Sequence, residues 1–333
     1  MAAALARSTG TGGSLAAMVL GRLVTAIPVM MTIVVLMFLL TRLAPGDPAV
    51  LLAGDAPTPE FLAAVRAEHG LDRPLAEQLG LYLWRALQFD FGRSIYFQQP
   101  VLDIVLQRVP ATLLLTGAAM VVAATLGILF GVAAARRKGE GTDTLVGAAS
   151  LVGYSIPAFW LGQLLILLFV VTLKWLPAGG MTSAREQYEG WAYVLDVGRH
   201  LILPTVTLAT FELGLITRFT RAAMVEALAR EYVLVARAKG GQMRHVVWAH
   251  AFPNAAVTTV TIIGLEFGVL LAGAVVTETV FSWPGLGRLF FDAILRRDFP
   301  LLSGCFVLAS LAVIVINLVT DILCALIDPR IRH

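Results

Sequence analysis

The chain has 333 residues, of which 58% are hydrophobic and only 14% are charged, with a net charge of +3. An ordinary soluble domain is about 45–50% apolar and about 25% charged, so this composition excludes a disordered chain and argues against a soluble enzyme. The 19 residues from Leu23 to Thr41 carry no charge. As a helix they would cross the hydrocarbon layer of a bilayer, which is about 30 Å thick. The sequence therefore predicts an integral membrane protein.

Charge-poor stretches recur along the chain, and each reaches or approaches the length of one helical crossing. Six crossings predict an all-α membrane protein whose two termini lie on the same side of the bilayer. The first crossing is expected to be retained as a signal anchor, because no small-residue cleavage site follows it. The six stretches are residues 23–41, 109–135, 144–173, 200–217, 251–277 and 299–320.

The distribution of lysine and arginine predicts the orientation. With cytoplasmic termini, the inner segments carry 13 basic residues and the short outer loops carry 7. Basic residues concentrate on the cytoplasmic side of membrane proteins, whereas long loops cross regardless of charge. Both termini are therefore predicted to be cytoplasmic. The pI of about 9.1 then reflects this topology and gives no reason to expect a nucleic-acid partner.

The longest predicted outer segment, residues 44–108, has the signals of a small helical insertion. Thr58-Pro59-Glu60 predicts a capped helix start, and Gly70 predicts its end. Pro74 and Pro100 are each expected to open another helix, the last of which leads into the second crossing. Two interpretations stay open: a lid on the bundle, or a contact surface for a soluble protein outside.

Several kinds of chemistry have no signature in this sequence. None of the three lysines, Lys138, Lys174 and Lys239, stands in a Gly-Lys-Ser/Thr phosphate loop. The five histidines form no His-Glu-x-x-His zinc motif, and no Ser/His/Asp set stands out. Cys305 and Cys324 would lie near opposite ends of one helix, too far apart to form a disulfide. If ATP drives the protein, another subunit must bind it.

The segment between the fourth and fifth crossings, residues 218–254, is the most informative. Residues 221–239 are rich in strong helix formers, Gly240-Gly241 should end that helix, and 242–251 should form a second helix before Pro253. This helical elbow could merely connect two crossings, but 2–8 residues would be enough for that. A docking function is the favoured interpretation.

This segment resembles the cytoplasmic coupling loop of ABC-importer permeases. Ala236, Gly240 and Pro253 match the second alanine, the glycine and the proline of the general pattern, while Leu234 and Val235 depart from it. The residues "EYV…ARAKG…HA…NA" are more similar to the dipeptide, oligopeptide and nickel permeases. The resemblance implies ATPase-coupling roles for Glu231, Tyr232, Ala236, Ala238, Lys239, Gly240, His250 and Asn254.

Similarity to the first permease subunit of that branch extends over nearly the whole chain. It includes Pro45-Gly46-Asp47-Pro48, "HGLDRPL" at 69–75, "FGRS" at 91–94, "SIPAFWLG" at 155–162, "TETVFSWPGLGRLFFDAI" at 277–294 and "DPRIRH" at 328–333. The resemblance implies a type I ABC-importer permease in the bacterial inner membrane. Its expected partners are a second homologous permease, two ABC ATPase subunits that bind ATP and Mg²⁺, and an extracytoplasmic binding protein. This chain itself is expected to bind no cofactor or metal and to catalyse no reaction.

Short peptides are the expected cargo, with nickel or another small solute as the alternative. A self-sufficient ion-coupled transporter is a competing hypothesis, but such proteins usually contain inverted repeats, and none is visible here. A scaffold or membrane enzyme is a third hypothesis. The predicted organisation is a tail with the first helix (1–43), the insertion (44–108), the transmembrane core (109–327) and a cytoplasmic tail (328–333).

Two acidic residues fall within predicted crossings, where a charge is costly and indicates function. On a helix, Gly264 and Gly268 share one face, and Glu266 points to the opposite side. The branch usually carries glutamine at this position, so Glu266 is expected either to line the substrate path or to pair with an arginine of the partner permease. Glu212 lies nearer the inner surface, and pairing with Arg218 is the favoured interpretation.

Pro157 and Trp283 are the other candidates for the translocation path. Pro157 should remove a backbone hydrogen bond from the third crossing, which predicts either a static kink, the favoured interpretation, or a moving part of the path. Trp283 lies in a predicted turn outside the fifth crossing. It is expected to be either an interfacial anchor or part of an outer gate.

Overall fold

The protein is helical throughout the part of the chain that the computed structural model describes, which comprises residues 15–43, 50, 58–68, 70, 72–183 and 188–327. Its helices are α1 (Leu15–Leu43), α2 (Pro59–Glu68), α3 (Leu75–Leu87), α4 (Val101–Arg136), α5 (Gly141–Ser155), α6 (Ala158–Leu165), α7 (Gly190–Leu228), α8 (Glu231–Ala238), α9 (Met243–His245), α10 (Phe252–Gly273), α11 (Val275–Val280), α12 (Leu286–Leu295) and α13 (Phe299–Ile327). A π-helical segment, Ile166–Thr172, continues α6, and another, Val246–Ala251, joins α9 to α10.

Five helical segments are long and apolar enough to cross a membrane: α1, α4, α7, the continuous α9–α10 segment and α13. A sixth crossing results if α5 and the α6 segment are taken together, although they meet at an angle of 96°. Each predicted crossing thus corresponds to a helix or a helix pair. The prediction of an all-α membrane protein is confirmed, with five candidate crossings, or six if the bent pair counts as one.

The centre of the bundle is the long contact between α4 and α7. A Cβ added at Gly131 would lie 2.8 Å from the carbonyl oxygen of Thr217 and 3.0 Å from the amide nitrogen of Arg221. At Gly127, one turn earlier, it would lie 2.8 Å from a methyl group of Ile216. Glycine therefore lets the two helices approach closely, which is how helices associate in lipid, where no hydrophobic effect drives them together.

The α10–α13 contact follows the same rule. Gly264 faces Thr320, and an added Cβ at Gly268 would lie 3.4 Å from the side-chain oxygen of Asn317. This confirms that the glycine face of α10 packs against a neighbouring helix.

Two buried clusters distinguish the ends of the bundle. At the start of α4, Val101 and Val105 pack with residues of α12 and α13 such as Leu289 and Leu301. At the end of α4, Val132 and Ala135 pack with residues 224–255. The loop between α7 and α10 therefore lies at the opposite end of the bundle from the α11–α12 turn.

The insertion contains the predicted helices. The Thr58 hydroxyl accepts a hydrogen bond from the backbone N–H of Phe61 (3.3 Å), Gly70 has φ +64°, and α3 follows Pro74. Tyr82 hydrogen-bonds Ser303 at the start of α13, which fixes α3 to the bundle. The proposed boundary at residue 108 lies within α4, which is one helix from Val101 to Arg136. The motifs at 45–48 and 328–333 lie outside the described residues.

Gly214 on α7 provides a test of close helix packing, because an added Cβ there would lie 2.5 Å from the carbonyl oxygen of Ser150 on α5. We expect Gly214→Ala to destabilise the protein by about 1–3 kcal/mol through overpacking. Gly198→Ala on the same helix is the matched control, because an added Cβ there meets nothing within 4 Å. Thermal unfolding of the purified variants in detergent measures the difference. Equal unfolding temperatures for the two variants would contradict this account of the α5–α7 contact.

Candidate functional site

The loop between α7 and α10 begins with a break that the sequence did not predict. Helix α7 ends at Leu228, Arg230 is extended (φ −75°, ψ 149°), and α8 begins at Glu231. The prediction of one helix over 221–239 is therefore wrong. Met224 and Val233 both lie in the same buried cluster, but they would point to opposite sides of a continuous helix, since nine residues correspond to a rotation of 900°. The break lets both side chains face the bundle.

Gly240 ends α8 as predicted. Its φ is +81°, a conformation that strongly favours glycine. Its N–H donates to the carbonyl of Arg237 (2.9 Å), and the N–H of Gly241 donates to the carbonyl of Ala236 (3.2 Å). Since an added Cβ at Gly240 meets nothing within 4 Å, the backbone conformation alone requires glycine there.

The second arm of the elbow is continuous with the fifth crossing. Helix α9 passes through the π-helical segment into α10, so the prediction of a separate helix ending before Pro253 is wrong. Pro253 lies in the first turn of α10, where its missing N–H is tolerated. The Asn254 side chain donates to the carbonyl of His250 (2.8 Å), and the rings of His245 and His250 meet edge to face at 5.5 Å.

The elbow has one buried face and one exposed face. On the buried face, Val233, Val246 and Val247 are at most 3% exposed. On the other face, Leu234 is 60% exposed and Val235 is 54% exposed. Among the predicted coupling residues, Ala236 is partly buried, whereas Glu231, Tyr232, Ala238, Lys239, Gly240, His250 and Asn254 lie on the exposed surface. Adjacent apolar side chains exposed on a helix are typical of a surface that binds a protein partner.

The sequence analysis did not predict an ion pair that lies at the base of the elbow. Arg221 on α7 binds Asp143 on α5 through two nitrogens, with one bond of 2.7 Å, and Asp143 also accepts a hydrogen bond from the Gly139 N–H (2.9 Å). The only sequence signal was an acid at the start of an apolar stretch. This bidentate pair joins α5 to the part of α7 that leads into the elbow.

One of the two membrane carboxylates is not arranged as predicted. Glu212 is 2% exposed, and its Oε2 atom is buried without a hydrogen-bond partner among the described residues. The predicted pairing with Arg218 is wrong, because six residues of helix leave the two side chains about 120° apart around the axis and Arg218 is exposed. Glu266 is partly buried and lies opposite the glycine face, as predicted.

Pro157 lies at a break in the third crossing and not within a kinked helix. Ile156 is extended (ψ 124°), as expected before proline, and the carbonyl of Pro157 accepts the N–H of Leu161 (3.0 Å) at the start of α6. The predicted loss of a hydrogen bond inside a helix does not occur. The break opens an apolar groove of about 540 Å³, which is lined by Leu151, Val152, Ser155, Ile156, Pro157, Phe159 and Trp160.

Trp283 is 0% exposed, and its indole N–H donates to the carbonyl of Ala111 (2.8 Å). The interpretation as an interfacial anchor is therefore wrong, because an anchor contacts lipid headgroups. A role in an outer gate stays a prediction, and it would require the ring to leave this site.

Glu278, another residue that the sequence analysis did not single out, connects α4 with α11 and α12 near Trp283. It is 0% exposed, and its carboxylate accepts hydrogen bonds from the Thr112 hydroxyl (2.7 Å) and from the Arg288 N–H (2.9 Å). The Thr112 hydroxyl in turn accepts the N–H of Leu286 (2.7 Å). Burial raises the pKa of the Glu278 carboxyl, and the hydrogen bonds from Arg288, Thr112 and Gly287 oppose the rise. The carboxyl group thereby fixes α4, α11 and α12 to one another.

These features define a helical membrane protein with an exposed helical elbow at one end, and comparison with known proteins identifies its family. Residues 127–333 match the family described as binding-protein-dependent transport system inner membrane component, and residues 15–116 match its N-terminal family. The chain belongs to this family. It is therefore an inner-membrane permease of the ABC-importer type.

Relatives match over nearly their whole length. The chain is 42% identical to a di/tripeptide transport system permease protein DppB of Pseudomonas aeruginosa over 327 residues, which cover 94% of this chain and 97% of the relative. It is 39% identical to the dipeptide transport system permease protein DppB of Escherichia coli K12, with coverage of 95% and 98%. A crystal structure of an amino acid ABC transporter with histidines is 16% identical, with a TM-score of 0.47 and coverage of 68% of this chain and 94% of that one.

Removing the Glu278 carboxylate should destabilise the contact between α4, α11 and α12. Glu278→Ala would leave the Thr112 hydroxyl and the Arg288 N–H without their acceptor, at a cost of about 1–3 kcal/mol for each stranded group. Glu278→Gln keeps one acceptor oxygen and should lose less. Thermal unfolding in detergent measures both, and a Glu278→Ala protein as stable as the Gln variant would refute this role.

Proposed function

We propose that this chain pairs with a second homologous permease to form the translocation path of an importer for short peptides. The observation that carries the proposal is the 39–42% identity to permeases named for peptide transport, over 94–95% of this chain. An extracytoplasmic binding protein delivers the peptide. Two ABC ATPase subunits bind ATP and Mg²⁺, and this chain contributes no catalytic residue to hydrolysis.

The exposed face of the elbow is the docking site for an ATPase subunit. Leu234 and Val235 would insert into a groove of that subunit, while Val233 and Val246 hold the elbow against α4 and α7. Movement of the ATPase would thus be transmitted from α8 to the two central helices. The Asp143–Arg221 pair would carry the same movement to α5. Alternating access follows if these helices reorient around a path shared with the second permease.

Uptake measurements test the proposed function. A bacterial strain without peptide importers of its own, expressing the complete transporter, should accumulate labelled Ala-Ala, and a phosphate-loop lysine substitution in the ATPase should abolish this uptake. Mass spectrometry of ligands that co-purify with the cognate binding protein should identify peptides. Nickel or another small solute in that ligand pool, with no peptide uptake, would favour the alternative cargo. Uptake that survives the ATPase lesion would favour an ion-coupled transporter.

Gly240 should be essential for coupling but not for folding. Gly240→Val places a β-branched residue at φ +81°, where it is strongly penalised. We expect peptide uptake to be largely lost at normal membrane expression. Gly240→Asn is the matched control, because asparagine tolerates this conformation, and it should retain more uptake. Wild-type uptake by the Val variant would contradict the coupling role.

Thiol labelling tests the orientation. Cys305 and Cys324 are 2% and 6% exposed, so they should give little background with a membrane-impermeant reagent. In intact spheroplasts, Glu60→Cys should be labelled and Glu140→Cys should be protected; both positions are exposed. The opposite pattern would mean that the orientation is inverted.

A further inference from the structure

Two carboxylates lie on α7 and α10, which pack against each other in the middle of the bundle. Glu212 on α7 is 2% exposed, and Glu266 on α10 is partly buried. Neither residue belongs to the elbow or to the hydrogen-bond network of Glu278.

The surroundings of the pair are apolar. One turn before and one turn after Glu212 lie Leu208 and Ile216, which belong to the central buried cluster. Ile263 and Phe267, which flank Glu266 on α10, pack against the same cluster. A carboxylate in such a setting is costly unless a hydrogen-bond donor or a cation satisfies it.

No such partner is present among the residues that the structure describes. The Oε2 atom of Glu212 is buried without a hydrogen-bond partner, and the recorded ion pairs of the described chain include neither glutamate. Two ionised carboxylates repel, so the glutamates cannot satisfy one another as charged groups. The site therefore has the acceptors and the negative charge for a cation, but its own chain supplies none.

The pair opens toward one side of the subunit. Gly264 and Gly268 turn the other face of α10 against α13, so Glu266 points away from that contact. Beside it, Leu265 is 51% exposed and Val269 is 61% exposed. Glu266 is therefore nearer the surface of the subunit, and Glu212 is more deeply buried.

We propose that Glu212 and Glu266 form a binding site, within the membrane, for a primary ammonium group of the transported peptide. An ammonium group is a compact cation with three N–H donors, and it can bridge two carboxylates. Glu266 would meet the cation first, and Glu212 would supply an acceptor deeper in the path. Both the N-terminal amine and a lysine side chain have this chemistry. The inference rests on the proposed peptide import and names what the path recognises.

The test uses the complete transporter with its binding protein in proteoliposomes. Uptake of labelled Ala-Ala and Ala-Lys is compared for wild type, Glu212→Gln, Glu266→Gln and the double variant. Losing one charge-assisted hydrogen bond should lower the maximal uptake rate about tenfold. Recognition of the N-terminal amine predicts this loss for both peptides, and recognition of the side chain predicts it for Ala-Lys alone. If the glutamates act on one ligand, the double variant should lose less than the product of the single losses.

Controls separate this proposal from the others. Glu140→Gln, which neutralises an exposed acid outside the bundle, should leave uptake unchanged, and ATP hydrolysis stimulated by the binding protein should persist in every variant. Normal uptake of both peptides by intact Gln variants would overturn the site. Loss of co-purification with the second permease in Glu266→Gln would also overturn it, because Glu266 would then be a counter-ion for a partner arginine. A wild-type complex that transports neither peptide would instead refute the proposed function.

Discussion

The fold depends on the close approach of α4 and α7, which glycine makes possible. In lipid, burying apolar surface between helices contributes little to their association, because lipid tails are equally apolar. Close backbone packing and buried polar contacts must therefore hold the helices together. Gly127 and Gly131 provide that proximity along one face of α4. The buried clusters at the two ends of the bundle both include residues of α4. Movement of α7 relative to α4 would therefore alter side-chain contacts at both ends of the bundle.

The two ends use different interactions to attach their loops. At the end opposite the elbow, buried carboxylates fix turns through hydrogen bonds: Glu278 holds α11 and α12 to α4, and Asp298 accepts the Ser94 hydroxyl (2.5 Å) and the Tyr96 N–H (3.1 Å). At the other end, the Asp143–Arg221 ion pair lies at the base of the elbow, but the elbow itself is attached by apolar contacts, through Val233, Val246 and Met224. Directional hydrogen bonds favour a single geometry, whereas apolar contacts can slide. The elbow end is thus the better suited of the two to move.

Much of the architecture could be predicted because a bilayer makes sequence signals strong. Long charge-poor stretches located the crossings, proline and threonine located the starts of α2 and α3, and the glycine pair located the end of α8. These signals are local, and each acts through backbone geometry or hydropathy within a few residues.

The failed predictions each required knowledge of what lies across the bundle. The break after Leu228 exists because Val233 must reach the cluster that contains Met224, although residues 221–239 favour a helix. The burial of Trp283 depends on the carbonyl of Ala111, which is 172 residues away. Likewise, nothing near Glu212 in the sequence indicates that it is buried with an unpartnered oxygen atom. Local propensity predicts helices well, but partners distant in the sequence decide where helices break and which polar groups meet.

The right-angled junction between α5 and α6 has a consequence for how the subunit can be solvated. Helix α5 has 15 residues, so its end lies about 22 Å from its start, which is shorter than the hydrocarbon thickness of about 30 Å. The last carbonyl groups of a helix have no partner within that helix, and hydrocarbon offers them none. Only part of this demand is met locally, as where the carbonyl of Val152 accepts the N–H of Ile156 (3.2 Å). The junction therefore marks a depth at which water or another polypeptide must reach the chain, and lipid alone cannot cover it.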